Sequence, residues 1–286
     1  MFFIEPTTDL WVQTGEYESH VARCARICYK SEKQDENNDK AKTMCDNLWS
    51  RNHRSMFRHG TAYFYVPDTA NLPQWIWGVI INSPYIFGAS NDNKLWVSTN
   101  QQYLKENNTV ADLLKPYEVS QGKYIETGVS YTPALKGLRL TMVVITQIST
   151  SRELNRASPN NIAEQSTRYV NFGKKGGIAI CKPHWYDGAK WWQRALYRGY
   201  CKVSEWTYNI LLRSGSKPED ARGVLPLDTA TKAAYTYTIQ EWEHILDLRL
   251  FETTGRAHPN AKKTAQQIYD IMDEFNKNFI VYGNIF

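Results

Sequence analysis

The sequence predicts an α+β fold, and three observations predict it. Strand-like segments are concentrated at 61–66, 139–150 and 176–183. The carboxy-terminal half instead carries long helical patterns. No internal repeat, low-complexity tract or linker divides the 286 residues, so the expectation is one domain spanning 1–286.

Taken in order, ESHVARCARICYK (18–30) places Val21, Cys24, Ala25 and Cys28 on one side of a helix. The polar run SEKQDENNDK (31–40) reads as a solvated loop leading into a second helix at about 39–51. TAYFYV (61–66) alternates, is rich in β-formers, and is closed as a strand by Pro67. Residues 68–130 mix strand-like and helix-like pieces between turn residues. RLTMVVITQIST (139–150) is the strongest strand signal, dense in Val, Ile and Thr. GGIAICKP (176–183) is a shorter one. Residues 188–215 form a long amphipathic helix ending at Gly215 in the C′ position. Ser216 is then expected to N-cap a new turn that tolerates Pro218. Helices are expected over 229–248, with Ala233, Tyr237, Trp242, Ile245 and Leu246 as apolar surface, and over 260–279.

Composition narrows the function classes. With 42% hydrophobic and 22% charged residues, the chain can bury a core rather than stay disordered. A net charge of +5 suits small anionic ligands, but no Lys/Arg block argues for a nucleic acid polymer as partner. The five cysteines are odd in number and lack a CxxC pair, which signals neither a disulfide framework nor a metal site. The start MFFIEPTTDLW has an acid and a proline where a signal peptide needs a basic then an apolar run, and no apolar stretch reaches membrane-spanning length. The expected setting is the reducing cytoplasm, with no membrane partner.

The chemistry-bearing stretch follows the 139–150 strand. It runs Ser151-Arg152-Glu153-Leu154-Asn155-Arg156-Ala157-Ser158, then PNNIA, then Glu164-Gln165-Ser166-Thr167-Arg168-Tyr169. Polar groups at the end of an apolar strand are where sites commonly form. Two arginines, a carboxylate and a serine this close could hold a phosphate together with a hydrogen-bonding ring. A solvated charged loop would have the same composition.

EQSTRYVNF resembles the core of the signature of flavin-dependent thymidylate synthases: Arg-His-Arg, seven residues, Ser, one residue, Arg-Tyr. Without a gap, Ser166 falls on the signature serine, Arg168 on the following arginine and Arg156 on the first arginine. The upstream SRELNR resembles a version seen in some members. The signature's His and second Arg are here Ala157 and Ser158, which removes a ring and a cation from positions that lie against the flavin in the family. FRHGTAYFYV is similar to the family's early His-then-strand element and implies His59 at the flavin, with Arg58 where a glutamate is frequent. PEDARGVLP is similar to an Ala-Arg-x-x-Leu-Pro element and implies Arg222 at the nucleotide. WEHILDLRL resembles the helix whose late arginine, here Arg249, reaches the pyrimidine, with His244 near the flavin. RAHPNAKK (256–263) and ARICYKS (25–31) agree as well.

The resemblance implies a central, mostly antiparallel sheet flanked by long helices. It implies methylation of dUMP to dTMP with FAD as mediator, methylenetetrahydrofolate as carbon donor and NADPH as reductant. It also implies a homotetramer with sites shared between chains. The implied substrate-binding set is Glu153, Glu164, Ser166, Arg168, Arg222 and Arg249. The implied FAD set is His59, Arg156, Ala157, Ser158, Glu164 and His244. Ser166 and Arg249 would touch the reacting ring, Ser166 by binding rather than attack, because no neighbouring base in the sequence activates it. Arg249 would stabilise negative charge on the pyrimidine. The changed Ala157–Ser158 pair keeps two alternatives open: a related dUMP-modifying enzyme making hydroxymethyl-dUMP, and a non-catalytic nucleotide-binding homologue. No glycine-rich dinucleotide fingerprint follows a strand. Gly173, Gly176 and Gly177 form a basic loop that is either at the site mouth or a solvated turn.

Overall fold

A computed structural model describes residues 1–31, 38–156, 161–173 and 177–279. Its strands are β1 (Phe2–Ile4), β2 (Thr7–Trp11), β3 (Thr61–Val66), β4 (Ile86–Asn91), β5 (Lys94–Asn100), β6 (Glu118–Val119), β7 (Arg139–Gln147), β8 (Ile162–Glu164), β9 (Ala179–Cys181) and β10 (Ala230–Thr238). In chain order the first helices are α1 (Tyr17–Ile27), α2 (Asn38–Ser50), α3 (Trp75–Asn82), α4 (Gln101–Glu106), α5 (Asn108–Leu114), α6 (Gln121–Gly128) and α7 (Thr132–Leu135). They are followed by α8 (Ile148–Asn155), α9 (Trp191–Arg213), α10 (Pro218–Ala221), α11 (Ile239–Arg249) and α12 (Pro259–Phe279).

One antiparallel sheet has the order β2-β7-β10-β8. Its two central strands pair along their whole lengths, Ala230 opposite Gln147 through Thr238 opposite Arg139. One face, carrying Leu140, Met142, Val144, Ala233, Tyr235 and Tyr237, forms the largest core with residues of α11 and α12. Trp242 of α11 is buried there and donates its indole N–H to the Leu140 carbonyl at 3.1 Å, so a large ring is buried without orphaning its donor. The opposite face packs Val143, Ala163 and Ala234 against Cys24 and Ile27 of α1. A second antiparallel sheet, β4-β5-β3-β6, is built mainly from residues 68–130 and packs with α3 and α5. β1 and β9 form a separate parallel pair.

The mixed fold and its antiparallel pairing agree with the sequence reading, and several elements differ from it. The 229–248 segment is not one helix. Its first part is β10, the sheet's central strand, and the helix begins only at Ile239. Thr238 is the true N-cap, in a capping box with Glu241. The strand at 139–150 stops at Gln147, and Ile148–Asn155 is helix α8 rather than a loop. Ser216 is not an N-cap; Lys217 occupies that position ahead of Pro218. Gly215 does end the long helix, with φ +99°, a conformation that costs a β-carbon-bearing residue energy. Cys24 is buried and Cys28 half-buried, on the side of α1 where the sequence pattern grouped them.

Candidate functional site

The polar stretch after β7 folds as a helix, a short strand and a turn that converge on one carboxylate. Glu164 is paired opposite Ala233 at the edge of the sheet, so its side chain lies on the face carrying Thr231 and Tyr235. One carboxylate oxygen accepts from the Ser151 hydroxyl at 2.7 Å and the Thr231 hydroxyl at 3.0 Å. The other accepts from the Asn155 amide at 3.2 Å. The Tyr235 hydroxyl donates in turn to the Asn155 side-chain oxygen at 3.0 Å. Burial and the nearby Glu164 charge push the Tyr235 phenol well above its ordinary range, so it stays a neutral donor. Glu164 thus ties α8 to β8 and β10. Ser151 and Asn155 stand in the polar stretch without a role assigned from the sequence, and Thr231 and Tyr235 carry no sequence signal, because only the fold brings the four to this carboxylate.

The C-terminal half of α8 is also held by Arg249. Its guanidinium donates through Nε at 3.2 Å and Nη2 at 2.8 Å to the backbone carbonyl of Glu153. A cation near the C-terminal carbonyls of a helix is favourably placed. Glu153 therefore meets Arg249 through its backbone, while its half-buried side chain makes no part of that contact. Arg156, the C-cap residue of α8, is exposed. Ala157 and Ser158 lie outside the described residues.

After Glu164 the chain turns. The Ser166 backbone N–H donates to the Cys28 carbonyl at 3.0 Å, anchoring the turn on the end of α1. The Ser166 hydroxyl oxygen accepts from the Arg168 N–H at 3.1 Å and the Tyr169 N–H at 3.4 Å. Its role here is to shape the turn. Arg168 is exposed and pairs with Glu219 at 3.3 Å, and its guanidinium lies 5.4 Å from the Tyr169 ring. Arg222, exposed in the turn after α10, donates to the Thr167 hydroxyl at 3.0 Å. One guanidinium, that of Arg168, thus belongs to the turn, and a second, Arg222, from a distant part of the sequence, is bonded to it. Such an arrangement can clamp an oxyanion.

Glu153, Glu164, Ser166, Arg168, Arg222 and Arg249 thus fall along one continuous line from the end of α11 through α8 and β8 to the 166–168 turn. His59 does not join them. Its ring is fully buried on the α1 face of the sheet, with Nδ1 2.8 Å from the Thr236 hydroxyl. Thr236 contacts the Thr141 hydroxyl at 2.7 Å, and Thr141 contacts His20 Nε2 at 2.9 Å. Burial lowers the His59 pKa to about 3 and the His20 pKa to about 4, so both imidazoles are neutral at pH 7. His59 Nε2 is buried without a hydrogen-bond partner. His244 is exposed on α11. No cluster of three or more His, Cys, Asp or Glu with metal-binding geometry occurs among the described residues.

Comparison with known proteins bears on this arrangement. The profile of the thymidylate synthase complementing protein family matches residues 96–275. A probable flavin-dependent thymidylate synthase from Paramecium bursaria Chlorella virus 1 is 32% identical over 83 residues. That alignment spans 29% of this chain and 38% of the viral protein, little more than a third of the relative's length. Among solved structures, the UMP/dUMP methylase PolB from Streptomyces cacaoi bound with 5-Br dUMP superposes with a TM-score of 0.45 at 16% identity, over 99% of this chain and 100% of that one. Its form bound with 5-Br UMP gives 0.43 at 17% identity, over 95% and 91%. The family profile covers well over half of the chain, including the α8–β8 segment, the 166–168 turn, Arg222 and Arg249. The chain belongs to the thymidylate synthase complementing protein family.

Proposed function

We propose that this protein is a flavin-dependent thymidylate synthase that methylates dUMP to dTMP. In this reading methylenetetrahydrofolate donates the carbon, NADPH the electrons, and the reaction runs in the cytoplasm. The observation that carries the reading is the Ser166–Thr167–Arg168 turn, in which Arg168 presents an exposed guanidinium and Arg222, from the segment after α10, donates to the Thr167 hydroxyl. A nucleotide phosphate seated there would replace the half-buried Glu219 carboxylate on Arg168 with a doubly charged, bidentate acceptor. Ser166 and Glu164 would fix the nucleotide beside it. Arg249, already oriented by the Glu153 carbonyl, would face the negative charge that develops on the pyrimidine.

FAD would supply the redox and carbon-transfer chemistry when bound. Among the described residues the candidate flavin side chains do not share one face: His59 is sealed on the α1 face, whereas Glu164 faces the α11–α12 side. Among the described candidates, Arg156 and His244 are the exposed ones that could meet a flavin nucleotide directly from this chain's surface. We therefore propose that the cofactor site is completed between copies, in a tetramer. Helix α9 supports this. Trp192, Leu196, Val203, Trp206 and Ile210 recur at three-, four- and seven-residue intervals and are exposed, Leu196 at 70% and Trp206 at 66%. An apolar seam of that period and length is what helix-on-helix association between subunits buries.

The test is the mass of the nucleotide product after anaerobic incubation with dUMP, FAD, NADPH and methylenetetrahydrofolate. The mass of dTMP supports the synthase. The mass of hydroxymethyl-dUMP would transfer the site to a different one-carbon outcome. Unaltered dUMP in a protein shown to hold FAD would overturn the reading.

A further inference from the structure

A cavity of about 630 Å³ lies between the ends of β2, β3 and β7 and the chain running from β6 into α6; it shares His20 and Thr141 with the buried network that reaches His59, but none of the residues of α8, β8 or the 166–168 turn. Its size is that of a small-molecule site. Leu10, Trp11, Tyr63 and Val119 give it apolar walls. Arg23 covers the Trp11 ring, with its guanidinium carbon 3.6 Å from the centroid.

The cavity's charged group is Arg139. Its side chain is only 8% exposed, yet its hydrogen bonds go to neutral acceptors: Nε to the Thr61 hydroxyl at 3.2 Å and Nη2 to the Arg58 carbonyl at 2.8 Å. No carboxylate among the described residues lies within ion-pair distance of it. Glu241 attracts it from beyond that distance, across the smaller hollow on its other side, but its carboxylate is engaged by Thr238. Glu118 also lines the cavity and is exposed. Burial works against the guanidinium charge. A buried charge is normally paired, because leaving it uncompensated is costly.

Three of the remaining polar walls are engaged elsewhere. The Gln13 amide pairs with the Thr61 backbone, donating at 3.0 Å and accepting at 2.8 Å. The Ser120 hydroxyl caps α6, and His20 is neutral and engaged with Thr141. We propose that this cavity is a second ligand site, which takes an organic anion with one charged head group on Arg139 and an apolar body against Leu10, Trp11, Tyr63 and Val119. The head group is a carboxylate or a phosphate monoester, both of which match a guanidinium. The site is independent of the nucleotide turn, and it is closed in part by Glu118–Gly122, from the chain between β3 and β7.

The experiment is calorimetric titration of the full-length protein with benzoate, phenyl phosphate and the neutral methyl benzoate, with and without saturating dUMP. Benzoate or phenyl phosphate should bind, whichever is tighter naming the head group, and methyl benzoate should not. Arg139→Gln should weaken that binding by roughly tenfold or more, the loss of a charge-assisted bond. Because Arg139→Gln also removes a bond to the Arg58 carbonyl, a second variant is needed. Gly122 lines the cavity, is exposed, and has nothing nearer than the Ser120 hydroxyl at 3.9 Å from an added β-carbon. Gly122→Leu should keep the fold and block the anion. Absence of binding to the unmodified protein, binding unchanged in both variants, or displacement by dUMP would each overturn the proposal. Failure of thymidylate synthesis would leave it standing.

Discussion

Replacing Glu164 with alanine is expected to destabilise the fold as well as the site. The carboxylate accepts from Ser151, Thr231 and Asn155. Ser151 and Thr231 are at most 2% exposed, so water cannot take over their hydroxyls. Each buried donor left without an acceptor costs about 1–3 kcal/mol. Ser151 also contacts the Ile148 carbonyl at 3.0 Å, which softens its share. The half-buried Asn155 can turn toward solvent. The expected loss is therefore about 2–4 kcal/mol, set mainly by Thr231 and Ser151. Glu164→Gln keeps one acceptor oxygen, and the hydroxyls can reverse to accept from its amide, so it should cost about 1 kcal/mol. Urea unfolding of both variants, with dUMP affinity measured alongside, separates the two roles. Weakened dUMP binding in Glu164→Gln with stability nearly intact would assign the carboxylate to the nucleotide. A Glu164→Ala protein within about 0.5 kcal/mol of the parent would refute the argument that this carboxylate ties α8 to the sheet.

Arg168→Ala should weaken dUMP binding by roughly tenfold or more through the lost charge-assisted bond, while leaving stability nearly unchanged, since an exposed ion pair such as that with Glu219 contributes about 0–1 kcal/mol; equilibrium dialysis and thermal unfolding check both halves. Because His20 and His59 titrate at about 4 and about 3 in the fold and near 6.5 when unfolded, the unfolded chain binds more protons below neutrality. Stability should fall as pH drops below about 6.5, by up to about 3 kcal/mol from His20 before its folded pKa is reached, and urea unfolding of His20→Asn should show a shallower pH slope. Paired Leu196→Glu and Trp206→Glu substitutions should abolish assembly, read by sedimentation velocity, and with it flavin retention. An assembly of unchanged size would remove α9 as the interface.

Local signals made several elements legible. TAYFYV and Pro67 marked β3 to the residue, and Gly215 ended α9 because only glycine takes its left-handed conformation cheaply. Local signals misled at β10. Ala233 and Ala234 favour helix locally, and the segment adjoins a true helix start, so a single 3.6-residue period appeared to run through both. What makes it a strand is pairing with β7 on one side and β8 on the other, partners far away in sequence. Residues 68–130 resisted for a related reason: β5 is buried on both faces, so it shows no alternation.

The sequence by itself determined the family, the arginines and carboxylates that match its motifs, and the ends of the elements closed by Pro and Gly, because each is encoded within a few adjacent residues. Only the tertiary structure decided which hydroxyls Glu164 holds, that Arg249 braces the Glu153 carbonyl, that Arg222 bonds the turn carrying Arg168, and that His59 is sealed on the far face of the sheet. Those relations arise from pairing and packing between segments far apart along the chain, where burial and long-range hydrogen bonds outweigh local preference.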